Sequence, residues 1–297
     1  KMKGQRTERL IRTASRFLTC PSKQLSLTSL AEDFLVSKTV ISDDVSIIDE
    51  ALTREGLGGI SVDRGRTGGA SFVPRIAASV KDSLLKEIME ILNSEDRFLP
   101  GGLVYYSDIL FNPHYALRLG YAMASLFNDM RPDVVMTSEV KGIPLAIFTA
   151  HAMGIPLAVC RFRNRASDGS AVTVHYPTKN GEVKAMYMGT KQLNKGKRVL
   201  IVDDFMRGGS TVSGMLLVAK EFGAEVAGTG IFMVSSDPEV KVVVLTGAAV
   251  DSRPPAITLS RDPLTGLPDR RAFESRMEQL LQPRGDWPGQ PFALLFV

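Results

Sequence analysis

The densest chemistry in the chain lies in the run Val199-Leu200-Ile201-Val202-Asp203-Asp204-Phe205-Met206-Arg207-Gly208-Gly209-Ser210-Thr211. An apolar stretch predicts a buried strand that ends in two carboxylates, after which a loop of glycines and hydroxyls opens a helix. Such a loop cradles an anion. Backbone N–H groups and the helix N-terminus hold the oxyanion, Ser210 and Thr211 donate from their side chains, and Gly208 and Gly209 permit close approach. Asp203 and Asp204 cannot face a phosphate directly, because like charges repel. They suit vicinal hydroxyls, or a divalent cation beside them. The ligand described by this pattern is a phosphorylated sugar. A plain strand-to-helix turn is the alternative, although packing gives no reason for adjacent solvent-facing acids there. No G-x-x-x-x-G-K-[ST] pattern is present, so a Walker A loop is excluded.

Two further segments carry charge suited to the same ligand. Thr137-Ser138-Glu139-Val140-Lys141-Gly142-Ile143-Pro144 reads as a strand end, a short loop and a helix start, with Lys141 and backbone amides available to an anion. Arg161-Phe162-Arg163-Asn164-Arg165 begins a cationic stretch that runs to Gly181 and that reads equally as an anion contact or a solvated loop. Other chemistries find less support. His114, His151 and His175 have no metal-ligand spacing, and neither G-x-S-x-G nor H-E-x-x-H occurs. Cys20 and Cys160, far apart, exclude a disulfide scaffold or a cysteine zinc site and fit a reducing cytoplasm.

The elements that must position these residues follow from pattern and length. A chain of 297 residues with 44% hydrophobic and 23% charged side chains has globular composition and room for about two domains. No apolar run is long enough to span a bilayer, and no signal-peptide core follows the N-terminus, so membrane and secretion are not expected. The net charge of +4 permits a nucleic-acid or phosphate partner.

The charge is uneven. Lys1, Lys3, Arg6, Arg9, Arg12, Arg16 and Lys23 face only Glu8 before Gln24. Leu10, Ile11, Ala14, Phe17 and Leu18 place an amphipathic helix over Arg6 to Thr19, stopped by Pro21. Ser29-Leu30-Ala31-Glu32 has the spacing of a capping box and predicts a second short helix. Ile41, Val45, Ile48 and Leu52 predict a third from about Ser37 to Gly56. Gly58 to Asp63 and Gly69 to Val73 then read as a hairpin joined by Arg64-Gly65-Arg66-Thr67-Gly68. Three helices closed by a hairpin is the order of a winged helix, with Ser37, Lys38, Thr39 and Ser42 at the exposed start of its third helix, suited to base edges and phosphates. A small helical interaction domain with a solvated basic face is the alternative.

After Pro74, Ile76 to Leu92 is helical, a linker or dimer contact, and Pro100-Gly101-Gly102 breaks the chain. Strands and helices then alternate: a strand at Asp133 to Thr137, a helix at Ile143 to Met153, a strand at Pro156 to Cys160. An antiparallel excursion is expected at Val172 to Met188. Beyond it lie a strand at Arg198, a helix at Thr211 to Phe222 and a strand at Val226 to Val234. The fold class is α/β with a mainly parallel sheet behind an N-terminal winged-helix domain.

The Asp203 to Thr211 loop resembles the phosphoribosyl pyrophosphate (PRPP) loop of type I phosphoribosyltransferase folds. That resemblance implies ribose hydroxyls on Asp203 and Asp204, the 5-phosphate on Arg207 to Thr211, and pyrophosphate at the Lys141 loop beneath a hood at Arg161 to Gly181. Joined to a winged helix, and with Phe98-Leu99-Pro100-Gly101-Gly102-Leu103-Val104-Tyr105, the chain from about Lys3 to Val240 is similar to the purine operon repressors of Gram-positive bacteria. The resemblance implies a homodimer that binds operator DNA and senses PRPP without catalysis, PRPP weakening the hold on DNA. It implies effector contacts from Tyr105, Lys141, Asp203, Asp204, Phe205 and Arg207 to Thr211. DNA contacts would come from Arg6, Ser37, Lys38, Thr39, Ser42, Arg64 and Arg66. Leu103 stands where an aromatic is expected, leaving Phe205 to stack on a base.

These readings divide the chain into a winged-helix domain at 1–74, an effector domain at 75–241, a linker at 242–259 and a tail at 260–297. The tail run from Ser260 to Glu274 resembles the opening of a GGDEF-type diguanylate cyclase domain, without the signature loop that cyclase chemistry needs. The rival function is a purine phosphoribosyltransferase that uses PRPP with Mg²⁺. A third is a receptor for guanosine tetraphosphate, whose ribose and phosphates the same pocket would accept.

Overall fold

A computed structural model describes residues 2–63, 68–99, 103–178, 181–206, 209–234 and 295–296. The N-terminal unit opens with α1 (Met2–Thr19), β1 (Leu25–Ser26), α2 (Leu27–Asp33) and α3 (Lys38–Arg54), followed by β2 (Gly58–Val62) and β3 (Gly69–Pro74). Helix α1 buries Phe17 and sends its charged face outward. Helix α2 starts earlier than the capping-box spacing suggests. Its N-cap is Ser26, whose hydroxyl accepts from the Ser29 amide at 3.2 Å. Ser29 therefore lies inside the helix. Ser37 caps α3 in the same manner, accepting from the Val40 amide at 3.3 Å. Strand β3 is central in a small antiparallel sheet of order β1-β3-β2, the frame of the expected wing. The wing tip at 64–67, with Arg64 and Arg66, lies outside the described residues.

Helix α4 (Ala78–Leu92) leads to the short pair β4 (Phe98–Leu99) and β5 (Leu103–Val104), then to α5 (Ser107–Leu110) and α6 (Pro113–Phe127). Neither α5 nor α6 is among the elements expected from sequence pattern. The rest alternates: β6 (Val134–Ser138), α7 (Gly142–Met153), β7 (Leu157–Cys160), the antiparallel hairpin β8 (Ala171–Pro177) and β9 (Val183–Gly189), β10 (Arg198–Met206), α8 (Ser210–Glu221) and β11 (Glu225–Val234). The main sheet has the order β12-β11-β10-β6-β7, in which β6, β7, β10 and β11 run parallel. The edge strand β12 (Leu295–Phe296) pairs antiparallel with β11 through Gly230 and Ile231. The remainder of 242–297, on which the expected linker and the expected cyclase resemblance fall, lies outside the described residues.

Two apolar layers flank the sheet. One holds Met136, Ile201, Met215 and Val218 beneath α8 and the β8–β9 hairpin. The other is continuous with the N-terminal unit, joining Phe17, Ile41 and Phe72 to Leu145, Leu200 and Phe232. Polar contacts mark the seam: Ser22 donates to the Ala152 carbonyl at 2.8 Å, the Ile76 amide to Ser125 at 3.0 Å, and Asn128 to the Pro74 carbonyl at 3.2 Å. The Phe72 and Tyr121 rings lie 6.4 Å apart. The two units are packed as one body.

Candidate functional site

The parallel strands β6 and β10 end side by side, and each turns into a helix. Such a strand-end crevice is where α/β sheets bind ligands. Strand β10 reaches further than its apolar run, carrying Asp203, Asp204, Phe205 and Met206 in extended backbone. Alternation then sends neighbouring side chains to opposite faces. Asp203 points inward and is 2% exposed; its carboxylate accepts from the Ser138 hydroxyl at 3.2 Å. Asp204 lies nearer the surface, where its carboxylate accepts from the Tyr106 hydroxyl at 2.5 Å. Burial, reinforced by the adjacent Asp204 charge, pushes the Asp203 carboxyl well above the usual carboxylate range.

The helix starts supply the anion-facing groups. Gly209 precedes α8 with φ +75°, a left-handed conformation that costs glycine little. Gly209, having no side chain, supplies no cap here, and the first amides of α8 are suited to an incoming anion, beside Ser210 and Thr211. Arg207 and Gly208 lie outside the described residues. Across the crevice, Gly142 opens α7 against Asp203. A Cβ at this position would stand 2.7 Å from the Asp203 Oδ1 and 2.5 Å from the Thr137 hydroxyl, so only glycine admits this approach. Lys141 is exposed, with its ammonium 4.8 Å from the centre of the Tyr106 ring.

Of the sequence-predicted effector residues, Lys141, Asp203, Asp204, Phe205, Gly209, Ser210 and Thr211 gather at the ends of β6 and β10. Tyr105 faces elsewhere: it is 45% exposed beneath the Arg97 guanidinium, 5.7 Å from its ring centre. Its neighbour Tyr106, not anticipated, occupies the pocket. The Tyr106 ring stacks on Phe205 at 6.0 Å and meets Phe232 at 6.5 Å. The pair Tyr105-Tyr106 followed by Ser107-Asp108 was the available signal: of two adjacent aromatics entering a helix, one turns inward. The arginines of the hood divide as well. Arg161 is held by Glu139 at 3.2 Å and Asp168 at 2.7 Å, while Arg163 and Arg165 are exposed. Among the described residues, no cluster of three His, Cys, Asp or Glu side chains could hold a metal ion.

The candidate DNA surface lies on α3. Lys38, Thr39 and Ser42 are exposed there, beside the capping Ser37. The arginines of α1 are drawn into ion pairs: Arg6 at 3.5 Å and Arg9 more closely on Asp44, Arg12 on Glu8 at 3.4 Å, Arg16 on Asp33 at 2.6 Å. Arg12 and Arg16 also lie over the Phe34 ring at 4.7 and 5.3 Å. Asp44 is buried between α1 and α3, so Arg6 and Arg9 fasten the two helices. Among the described residues no helix is long and apolar enough to cross a membrane.

Comparison with known proteins finds relatives for both parts of the chain, and no comparison supports the expected cyclase resemblance of the tail. Residues 5–74 match the model of the bacterial purine repressor N-terminal domain, and residues 106–248 that of the phosphoribosyl transferase domain. The probable purine biosynthesis transcriptional regulator PurR of Streptococcus pneumoniae is 34% identical over 240 residues, 80% of this chain and 87% of its own length. The purine biosynthesis transcriptional repressor PurR of Bacillus subtilis is 32% identical over 243 residues, covering 82% of this chain and 85% of that protein. In Lactococcus lactis subsp. lactis a protein named as the purine biosynthesis transcriptional activator PurR is 34% identical over 230 residues, 77% of this chain and 85% of its own length. A winged helix packed on a phosphoribosyltransferase-type sheet, matched over about four fifths of the chain by such regulators, leaves one conclusion: the chain belongs to the bacterial purine repressor family.

Proposed function

We propose that the chain is a transcriptional regulator of purine genes that binds operator DNA through α3 and the wing, and holds PRPP as an effector at the ends of β6 and β10. One observation carries the ligand reading: near the end of a parallel strand Asp203 and Asp204 precede the Gly209 turn into α8, across the crevice from Lys141. The carboxylates accept ribose hydroxyls, the α8 amides with Ser210 and Thr211 take the 5-phosphate, and Lys141 meets the pyrophosphate. Mg²⁺ enters with the pyrophosphate, as a companion of the ligand. Turnover is no part of this reading, since the relatives that span most of the chain are named as regulators.

The regulator is expected to act in the cytoplasm as a homodimer, as the family resemblance implies, and sedimentation of the full chain tests the oligomeric state. Guanosine tetraphosphate, which carries a ribose and several phosphates, is a competitor for the same pocket. Relatives named repressor and activator both exist, so the direction of the response is an experimental quantity. The deciding measurement is fluorescence anisotropy of duplex DNA from upstream of a purine synthesis operon, titrated with the full chain at fixed salt, with and without PRPP and Mg²⁺. Sequence-preferring binding that weakens on adding PRPP is expected. Release of pyrophosphate from PRPP in the presence of a purine base, without DNA binding, would replace this reading with the transferase.

A further inference from the structure

We propose that Tyr106 is a competitor built into the ligand pocket: its hydroxyl occupies the sugar-facing carboxylate and its ring holds the pyrophosphate-facing cation, so that it sets the affinity of the site below what these groups would give unmasked. The inference deepens the effector reading above and rests on it. Tyr106 is 7% exposed, and its side chain engages both halves of the site. Its hydroxyl donates to Asp204 at 2.5 Å, on the carboxylate expected to accept the sugar. Its ring underlies the Lys141 ammonium at 4.8 Å, the cation expected to meet the pyrophosphate. Phe205 and Phe232 hold the ring in place.

A sugar hydroxyl that binds the Asp204 Oδ2 takes the place of the tyrosine hydroxyl, and an anion that draws Lys141 off the ring breaks its contact with the aromatic face. A hydrogen bond to a carboxylate and a cation over an aromatic face are each worth enough to weaken a ligand that displaces them. Ribose 5-phosphate gains the Asp204 contact but not the Lys141 contact. Inorganic pyrophosphate gains the second without the first. A ligand that carries both groups displaces both contacts and is weakened by both. Tyr106 thereby tunes the two halves of the site separately.

Two substitutions divide the two contacts. Tyr106→Phe keeps the ring under Lys141 and removes only the hydroxyl; Tyr106→Leu removes both. Isothermal titration calorimetry of the full chain at fixed Mg²⁺, with PRPP, ribose 5-phosphate and inorganic pyrophosphate, reads the result. Tyr106→Phe is expected to tighten ribose 5-phosphate about tenfold and to leave pyrophosphate unchanged, whereas Tyr106→Leu tightens both. PRPP affinity rises in both variants. Weaker PRPP binding by Tyr106→Phe would make the hydroxyl a ligand contact and overturn the proposal, as would wild-type affinities for all three ligands in both variants. Absence of PRPP binding by the wild-type chain and both variants defeats the effector reading itself, a result distinct from either of these.

Discussion

Asp203 and Asp204 share a strand but not an environment. Asp203 is sealed against Ser138, and Asp204 meets the Tyr106 hydroxyl at the pocket surface. The Asp203 carboxyl holds its proton to a higher pH in the folded chain than in the unfolded one. The native state then binds more protons than the unfolded state, and stability falls as pH rises above the ordinary carboxylate value of 3.8. Asp203→Asn removes that cost. The variant is expected to melt at a higher temperature than wild type at neutral pH, with the gain disappearing in acid below 3.8. It is also expected to bind PRPP about tenfold more weakly, because the amide keeps only one of the two carboxyl oxygens as an acceptor. Thermal melts across pH, paired with calorimetric titration, check both halves.

At the scale of elements, the ion pairs of Asp44 decide how α3 is presented. Arg9 is largely covered, with its guanidinium on a carboxylate buried between α1 and α3. Asp44→Ala leaves that cation without its partner and is expected to destabilise the fold by about 3 kcal/mol, measured by urea denaturation. DNA affinity at low urea then reports whether α3 keeps its place. Most of these elements were legible in the chain. Steps of three and four residues marked α3 and α4, and unbroken apolar runs marked β6 and β10, because burial on one face or on two leaves a periodic trace. The α5–α6 segment was passed over even though Asn112 caps α6 and Pro113 opens it, both local signals. Its apolar side chains are spread around much of the helix, since α6 is buried against both α7 and β3, and one-sided periodicity is lost. Gly120 records that squeeze, lying 2.6 Å from the Phe148 backbone when given a Cβ. The site was legible in composition but not in pairing. The run from Asp203 to Thr211 points to the proposed ligand chemistry, whereas the inward turn of Tyr106 depends on Phe232, 126 residues away in the chain.

The molecule as a whole is expected to unfold as a unit. A core running from Phe17 through Phe72 to Phe232 couples the winged helix to the sheet, and differential scanning calorimetry should show one transition over the described body. Two well-separated transitions would show that the units are energetically independent. The seam also has a bearing on engineering. Residues of β3 and the segment after it contact α6 and its C-cap: Asn128 donates to the Pro74 carbonyl, the Ile76 amide donates to Ser125, and the Tyr121 ring meets that of Phe72. A biosensor made by cutting at Pro74 and attaching a different DNA reader would bare Tyr121 and its apolar surroundings to water. The replacement reader would have to bring an underside shaped for α6, so specificity is better altered by substitutions on the exposed start of α3 than by exchange of the module.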